Sequence, residues 1–139
     1  MTSTIQRSIL SALEGQKIVV VGGDRREGAL TRLRTAFGLA DVIHCCTRKG
    51  DASPNCFESS LRISGVVLVV WVLGLSRTHH GEHLHQRCRE LGIPYIDTYR
   101  IPHPNALLAK IEDLHLTDAL EARRVHALAL SQQRIGGAA

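Results

Sequence analysis

Val66–His83 reads VVLVVWVLGLSRTHHGEH, and its interpretation decides the fold. An apolar run rich in Val extends unbroken from Val66 to Leu73. β-Branched side chains fit a pleated strand, and a run without polar alternation predicts a strand covered on both faces. A buried helix is the competitor. It is disfavoured because Gly74 and Ser76 close the run after about two helical turns. The run is also too short for a bilayer, which needs roughly 20 apolar residues. Beyond it, Arg77, Thr78, His79 and His80 lead into a helix predicted to reach about Leu91. The centre of a parallel sheet is thus expected to deliver two adjacent imidazoles to the start of a helix.

Outward from this stretch, Lys17–Val21 (KIVVV), Asp41–His44 (DVIH) and Pro94–Thr98 (PYIDT) read as three further strands. The last begins at a proline, which suits a strand start or a sheet edge. Apolar residues at helical spacing predict helices over Ile5–Glu14, Gly28–Gly38, Asn55–Ile63, Asn105–Leu114 and Asp118–Arg134. Gly38 is placed as a helix C-cap residue. Strand and helix alternating through short connections imply right-handed crossovers and a parallel sheet with helices on both faces. The expected class is α/β: a three-layer Rossmann-like fold with a four-stranded parallel sheet ordered 2-1-3-4, plus extra N- and C-terminal helices. One domain is expected over 1–139, with a core of about 17–114 and a helical extension of about 118–134. In that strand order the switch point lies between strands one and three, where such sheets bind ligands.

A chain of 139 residues can bury a core without staples. Hydrophobic content of 44% and charged content of 22% exclude a disordered polyelectrolyte. Met1–Ser11 lacks a basic start followed by an apolar run, so the expected address is the cytoplasm of a bacterial-type cell. Of the four Cys (45, 46, 56 and 88), two are neighbours, and vicinal pairs seldom bridge; reduced thiols are expected. A net charge of +4 suits anionic ligands without specifying one.

With every post-strand loop on one rim, the polar chemistry collects there. Strand one is followed by Gly22, Gly23, Asp24, Arg25 and Arg26; strand two runs into His44, Cys45, Cys46, Arg48 and Lys49. Strand three is followed by Ser76, Arg77, Thr78, His79 and His80, and strand four by Tyr99, Arg100 and His103. The opposite loops at Glu14–Gln16, Leu39–Ala40 and Gly92–Ile93 contain no His, Cys or Arg. This asymmetry predicts a ligand site on the rim. The competing explanation is that strands commonly end in polar residues.

The positive end of a helix keeps imidazole neutral, the form that binds metals, which makes His79 and His80 candidate ligands. Adjacent helical residues point about 100° apart, so one can ligate while the other supports or caps the helix. His83 follows His79 by four, the spacing of a helical metal pair, but Glu82, His85 and Gln86 continue what also reads as a solvated face. Cys45 and Cys46 lie near cations that favour a thiolate, and His44 can join them in a Cys–His ligand pair. No Cys-x-x-Cys spacing of a structural zinc module occurs, and a buried structural thiol is the common alternative. Gly22–Gly28 (GGDRREG) lacks the G-x-G-x-x-G spacing and a Walker lysine, yet it permits a tight turn and close ligand approach. Arg25 and Arg26 can clamp a phosphate or carboxylate, and Arg48, Arg77, Thr78 and Arg100 extend the anion-binding set. No catalytic triad is legible: Asp24 and Asp97 are the rim acids, and Ser76 lacks a nucleophile-elbow context. A receiver domain would need an Asp where this chain has Leu73. A non-enzymatic role is therefore expected.

The segments IVVVGGDRR, VVLVV with its SRTHH loop, and CRELGIPYI together resemble the bacterial domain-of-unknown-function 2325 family. The resemblance covers about Lys17–Leu114 and implies a small Rossmann-like domain with a Ser-His or similar pair after its third strand. It implies haem as the ligand class, with His79 or His80 as the axial ligand, and no catalytic residue.

Two functions from different classes follow. One is a sensing or ligand-binding domain that holds haem, or a metal ion, through His79, His80, His44, Cys45, Cys46, His83 or His103. Leu73, Leu75 and Ile101 would then wall the macrocycle and arginines would meet its propionates. The alternative is a nucleotide- or nucleic-acid-associated phosphate-binding module without catalysis, whose affinity falls with salt. Aromatic content of 4%, expected to be mostly buried, offers few stacking platforms for single strands. A hydrolase ranks last. The N-terminal helix and the Ala/Leu-rich C-terminal helix add apolar faces that predict a homodimer, the competing outcome being that both pack on their own sheet. No membrane partner is expected.

Overall fold

A computed structural model describes residues 4–22, 26–45, 60–72 and 78–126, with only the backbone for 78–83. Four strands, β1 (Lys17–Val21), β2 (Asp41–Cys45), β3 (Val66–Val72) and β4 (Tyr95–Thr98), form one sheet in the order β2-β1-β3-β4. All three pairings are parallel. Around them lie α1 (Thr4–Leu13), α2 (Glu27–Phe37), α3 (Thr78–Leu91), α4 (Pro104–Asp113) and a fifth helix, α5, over 117–126. The α/β class, the Rossmann-like layering and the strand order all agree with the sequence reading. The predicted helix before β3 is described only at its end, at 60–61, and 127–134 of the C-terminal helix lie outside the described residues.

β3 is buried along its whole length, with no residue more than 5% exposed. A continuous apolar run is what two covered faces require. Its register against β1 skips one residue, Lys17 pairing with Val66 and Ile18 with Leu68. The skip changes the phase of the pleat. Leu68, Val70 and Val72 then face one layer, while Val69 and Trp71 face the other. The first layer is α1, α2, α4 and α5, which contribute Ile9 and Leu13, Leu30 and Leu33, Leu107 and Ile111, and Leu120. The second is α3 with Leu84 and Cys88, joined by Leu61 and Ile93. The chain steps outward from β1 to β2 through α2 and in the opposite direction from β3 to β4 through α3. Putting those two helices on opposite faces satisfies a single crossover handedness.

The helix ends follow local chemistry. Gly38 closes α2 in the left-handed region at φ 61°, its N–H reaching the carbonyls at the end of the helix. β4, opening after Pro94, is an edge strand, as a proline start favours. None of the described helices is long and apolar enough to cross a membrane.

The two apolar helices outside the predicted core return to their own sheet. Ile9, Ala12 and Leu13 of α1, and Leu120 of α5, are fully buried in the main core. α5 also sends Arg123 to the amino end of the sheet. There its Nε donates to the Val66 carbonyl at 3.0 Å and an Nη to the Leu91 carbonyl at 3.1 Å. Leu91 ends α3, so the guanidinium also meets the negative end of that helix dipole. Burial lowers the pKa of Arg123 from its ordinary value. Replacing Arg123 by Ala is expected to cost about 1.5–3 kcal/mol in denaturant unfolding, because two carbonyls lose a charged donor. Arg123→Lys should recover only part of that, since an ammonium lacks the planar fork.

Candidate functional site

In a parallel sheet with antiparallel crossover helices, all strand carboxyl ends and the N-termini of α2, α3 and α4 share one edge. The switch point lies at the ends of β1 and β3. The turn leaving β1 is anchored to β2. Gly22 donates its N–H to the Cys45 carbonyl at 2.8 Å, and its own carbonyl accepts the His44 Nε2–H at 3.1 Å. Gly22 has φ 95°, a conformation that favours glycine. His44 therefore braces the post-β1 turn, and when neutral it keeps its lone pair on Nδ1. Arg26 is exposed and takes the N-cap position of α2 without a side-chain capping bond.

Cys45 is buried at 6% exposure, with Sγ 3.6 Å from the Ser60 hydroxyl in the α3-side core. Neither Cys45 nor Cys88 is in a disulfide. Beyond β4, Thr98 donates its hydroxyl to the Arg100 carbonyl at 2.7 Å, shaping a turn that leaves the Arg100 side chain exposed. His103 is the N-cap of α4, and its Nδ1 accepts the Asn105 N–H at 3.1 Å. A neutral His103 in this role carries its proton on Nε2. Offering Nε2 to a metal would move the proton to Nδ1 and oppose the cap.

His44 lies in β2 and His103 follows β4, the two outermost strands of the sheet, which are three strand spacings, about 14 Å, apart. Thr78, His79, His80 and His83 lie on the first two turns of α3, directly after β3 at the switch point. Gly23, Asp24, Arg25, Cys46, Arg48 and Arg77 lie outside the described residues, as do Leu73 and Leu75. Ile101 is half-buried and packs against the main core. Among the described residues no cluster of three or more His, Cys, Asp or Glu is placed to hold a metal ion. Two surface clefts lie elsewhere, one between α1 and the end of α2, the other between α1 and the α4–α5 corner.

Among the described aromatics Phe37 and Trp71 are buried and Tyr95 is half-buried, while Tyr99 is 82% exposed beside Arg100. One expectation is corrected. His85 does not belong to a solvated histidine face. Its Nε2–H donates to Asp97 Oδ1 at 2.7 Å. Its ring stacks on Tyr95 at 4.4 Å between centroids and meets Trp71 edge-on at 5.2 Å. The pattern for this was present: Tyr95 and Asp97, two apart on β4, share a face, and Asp97 is the register partner of Trp71. Reading Leu84, Cys88 and Leu91 as the inward stripe of α3 would have put His85 at its margin.

The chain matches no family model and no curated protein at a significant level.

One turn beyond His85, burial pushes the Cys88 thiol up to about 12 from 9.0; Arg87 lowers it and Asp97 raises it further. Below pH 9 folded and unfolded chains both hold this proton. Between 9 and about 12 only the folded chain does, so the Cys88 contribution is intact below 9 and is lost as pH rises. Unfolding free energy should fall above pH 9 by up to about 1.4 kcal/mol per unit from this group. In Cys88→Ala that share of the slope should vanish, which denaturant titrations at pH 8, 9.5 and 10.5 would measure.

Proposed function

We propose that this chain is a small-ligand-binding or sensing domain that takes an anionic ligand at the β1–β3 switch point. The observation that carries the proposal is the convergence of the α2 and α3 N-termini there, beside the left-handed turn at Gly22. Both helix dipoles attract negative charge, and Arg26 stands exposed at the start of α2. The proposed ligand is haem, with a lone metal ion as its simpler form. His79 and His80 are the preferred axial candidates, because the described alternatives are engaged: His44 by Gly22, Cys45 by burial, and His103 by its cap. Haem would supply an iron centre whose propionates meet the basic edge. The resemblance to the domain-of-unknown-function 2325 family supports this ligand class and a bacterial source.

A phosphate-binding module is the second reading, favoured by the glycine turn and by exposed Tyr99 with Arg100. A homodimer fits the exposed apolar residues Ile5, Leu114 and Val125, on α1, the α4–α5 turn and α5. A reducing cytoplasmic setting fits Cys45 and Cys88, neither of which is in a disulfide.

Titration with haemin should give a saturable Soret band at one haem per chain. The combined variant His79→Ala with His80→Ala should weaken binding at least tenfold, whereas His103→Ala should change it less than twofold. Absence of a Soret band removes haem. A nucleotide affinity that falls steeply between 50 and 200 mM salt would then select the phosphate reading.

A further inference from the structure

The ligand reading leaves the His85–Asp97 couple without a role. The pair lies on the α3 face of the sheet at the level of Trp71 and Asp97, each one residue before the end of its strand, just beneath the carboxyl edge. Trp71 is 5% exposed, while the His85 and Asp97 side chains are 21% and 38% exposed. The groups facing the imidazole are Asp97 and Tyr95 from β4 and Trp71 from β3, with buried Cys88 one turn further along α3.

We infer that His85 and Asp97 are a positioning couple. They set the rotation and height of α3 on the sheet, and so the presentation of its first turn at the carboxyl edge. Leu84 and Cys88 bury α3 on the sheet, but apolar burial has no direction and tolerates sliding. The imidazole adds direction in three ways. A short hydrogen bond reaches one strand, a stack lies on a second residue of that strand, and an edge contact touches its neighbour. These restraints do not lie on one line, so the ring cannot satisfy them after the helix turns by even one residue, about 100°. His79 sits six residues up the same helix, about 9 Å along its axis. A rigid helix carries the orientation set at His85 to that turn. With Nε2–H committed to Asp97, a neutral ring keeps its lone pair on Nδ1, so the carboxylate also selects the tautomer. The functional half of this inference rests on the ligand reading; the structural half does not.

The test uses the full chain and four variants: His85→Phe, which keeps a ring for the stack; Asp97→Asn, which keeps an acceptor oxygen; Asp97→Ala; and the double variant His85→Phe with Asp97→Ala. Trp71 is the sole tryptophan, so its fluorescence checks that each variant retains the sheet. Amide exchange over 78–84 should accelerate at least tenfold in His85→Phe and in Asp97→Ala, with α2 unchanged. The double variant should match the single ones, and Asp97→Asn should fall between them and the wild type. Nitrogen NMR of the wild type should find the His85 proton on Nε2. Haemin affinity should fall at least threefold in the same two single variants. Unaltered exchange over 78–84, exchange that rises equally in α2, or a proton on Nδ1 would each overturn the couple. If the wild type takes up no haemin, the ligand reading fails by itself, and the exchange pattern still decides the couple.

Discussion

A central strand buried on both faces governs the rest of this molecule. Seven consecutive residues of β3 have almost no contact with water, so both faces of the sheet must be roofed. At about 1.5–3 kcal/mol for each fully buried large aliphatic side chain, exposing either face would exceed the net stability of a typical domain. Helices therefore occupy both layers. Polar groups are then displaced to the strand ends, where backbone and side chains can still meet water or a ligand. The pleat sorts the side chains of β3 between two cores, and the one-residue register skip at Val67 shifts the phase of that alternation.

The two ends of the sheet differ in kind. At the amino end, Arg123 donates to carbonyls of β3 and α3, joining the last described helix to both. At the carboxyl end, three helix N-termini lie beside a glycine turn, and their dipoles add positive potential. Histidines there are already in use. His44 braces the turn after β1 and His103 caps α4, each with a named ring nitrogen committed to the backbone. A histidine-rich edge is thus partly a set of caps and braces. In the proposed haem reading, ligation therefore falls to the first turn of α3.

Beneath that turn, His85 is a polar group set into an apolar layer without being orphaned. Asp97 accepts its proton, and Tyr95 and Trp71 enclose its ring. A half-buried charged or polar pair adds little net stability, but it restricts geometry in a way that burial alone does not. Its neighbour Cys88 shows the other outcome for a titratable group in the same layer. Burial there outweighs the nearby Arg87 charge, so the thiol stays protonated far above its ordinary range.

The amino-acid sequence by itself determined the class, the four strands, their parallel direction and their order. Those properties follow from periodicities of two and 3.6 and from crossover handedness, all of which are local or nearly so. A parallel sheet sends every post-strand segment to one side, and of the histidines and arginines expected there the described residues put Arg26, His44, Arg100 and His103, with the first turn of α3, toward that edge. Only the tertiary structure decided which of them work together. The distance between His44 and His103 is set by strand order, the commitment of their nitrogens by turn and cap geometry, and the partnership of His85 with Asp97 by how α3 is rotated on β3 and β4. These are non-local quantities. A residue spacing of twelve along the chain says nothing about a 2.7 Å hydrogen bond until the helix is laid on the sheet.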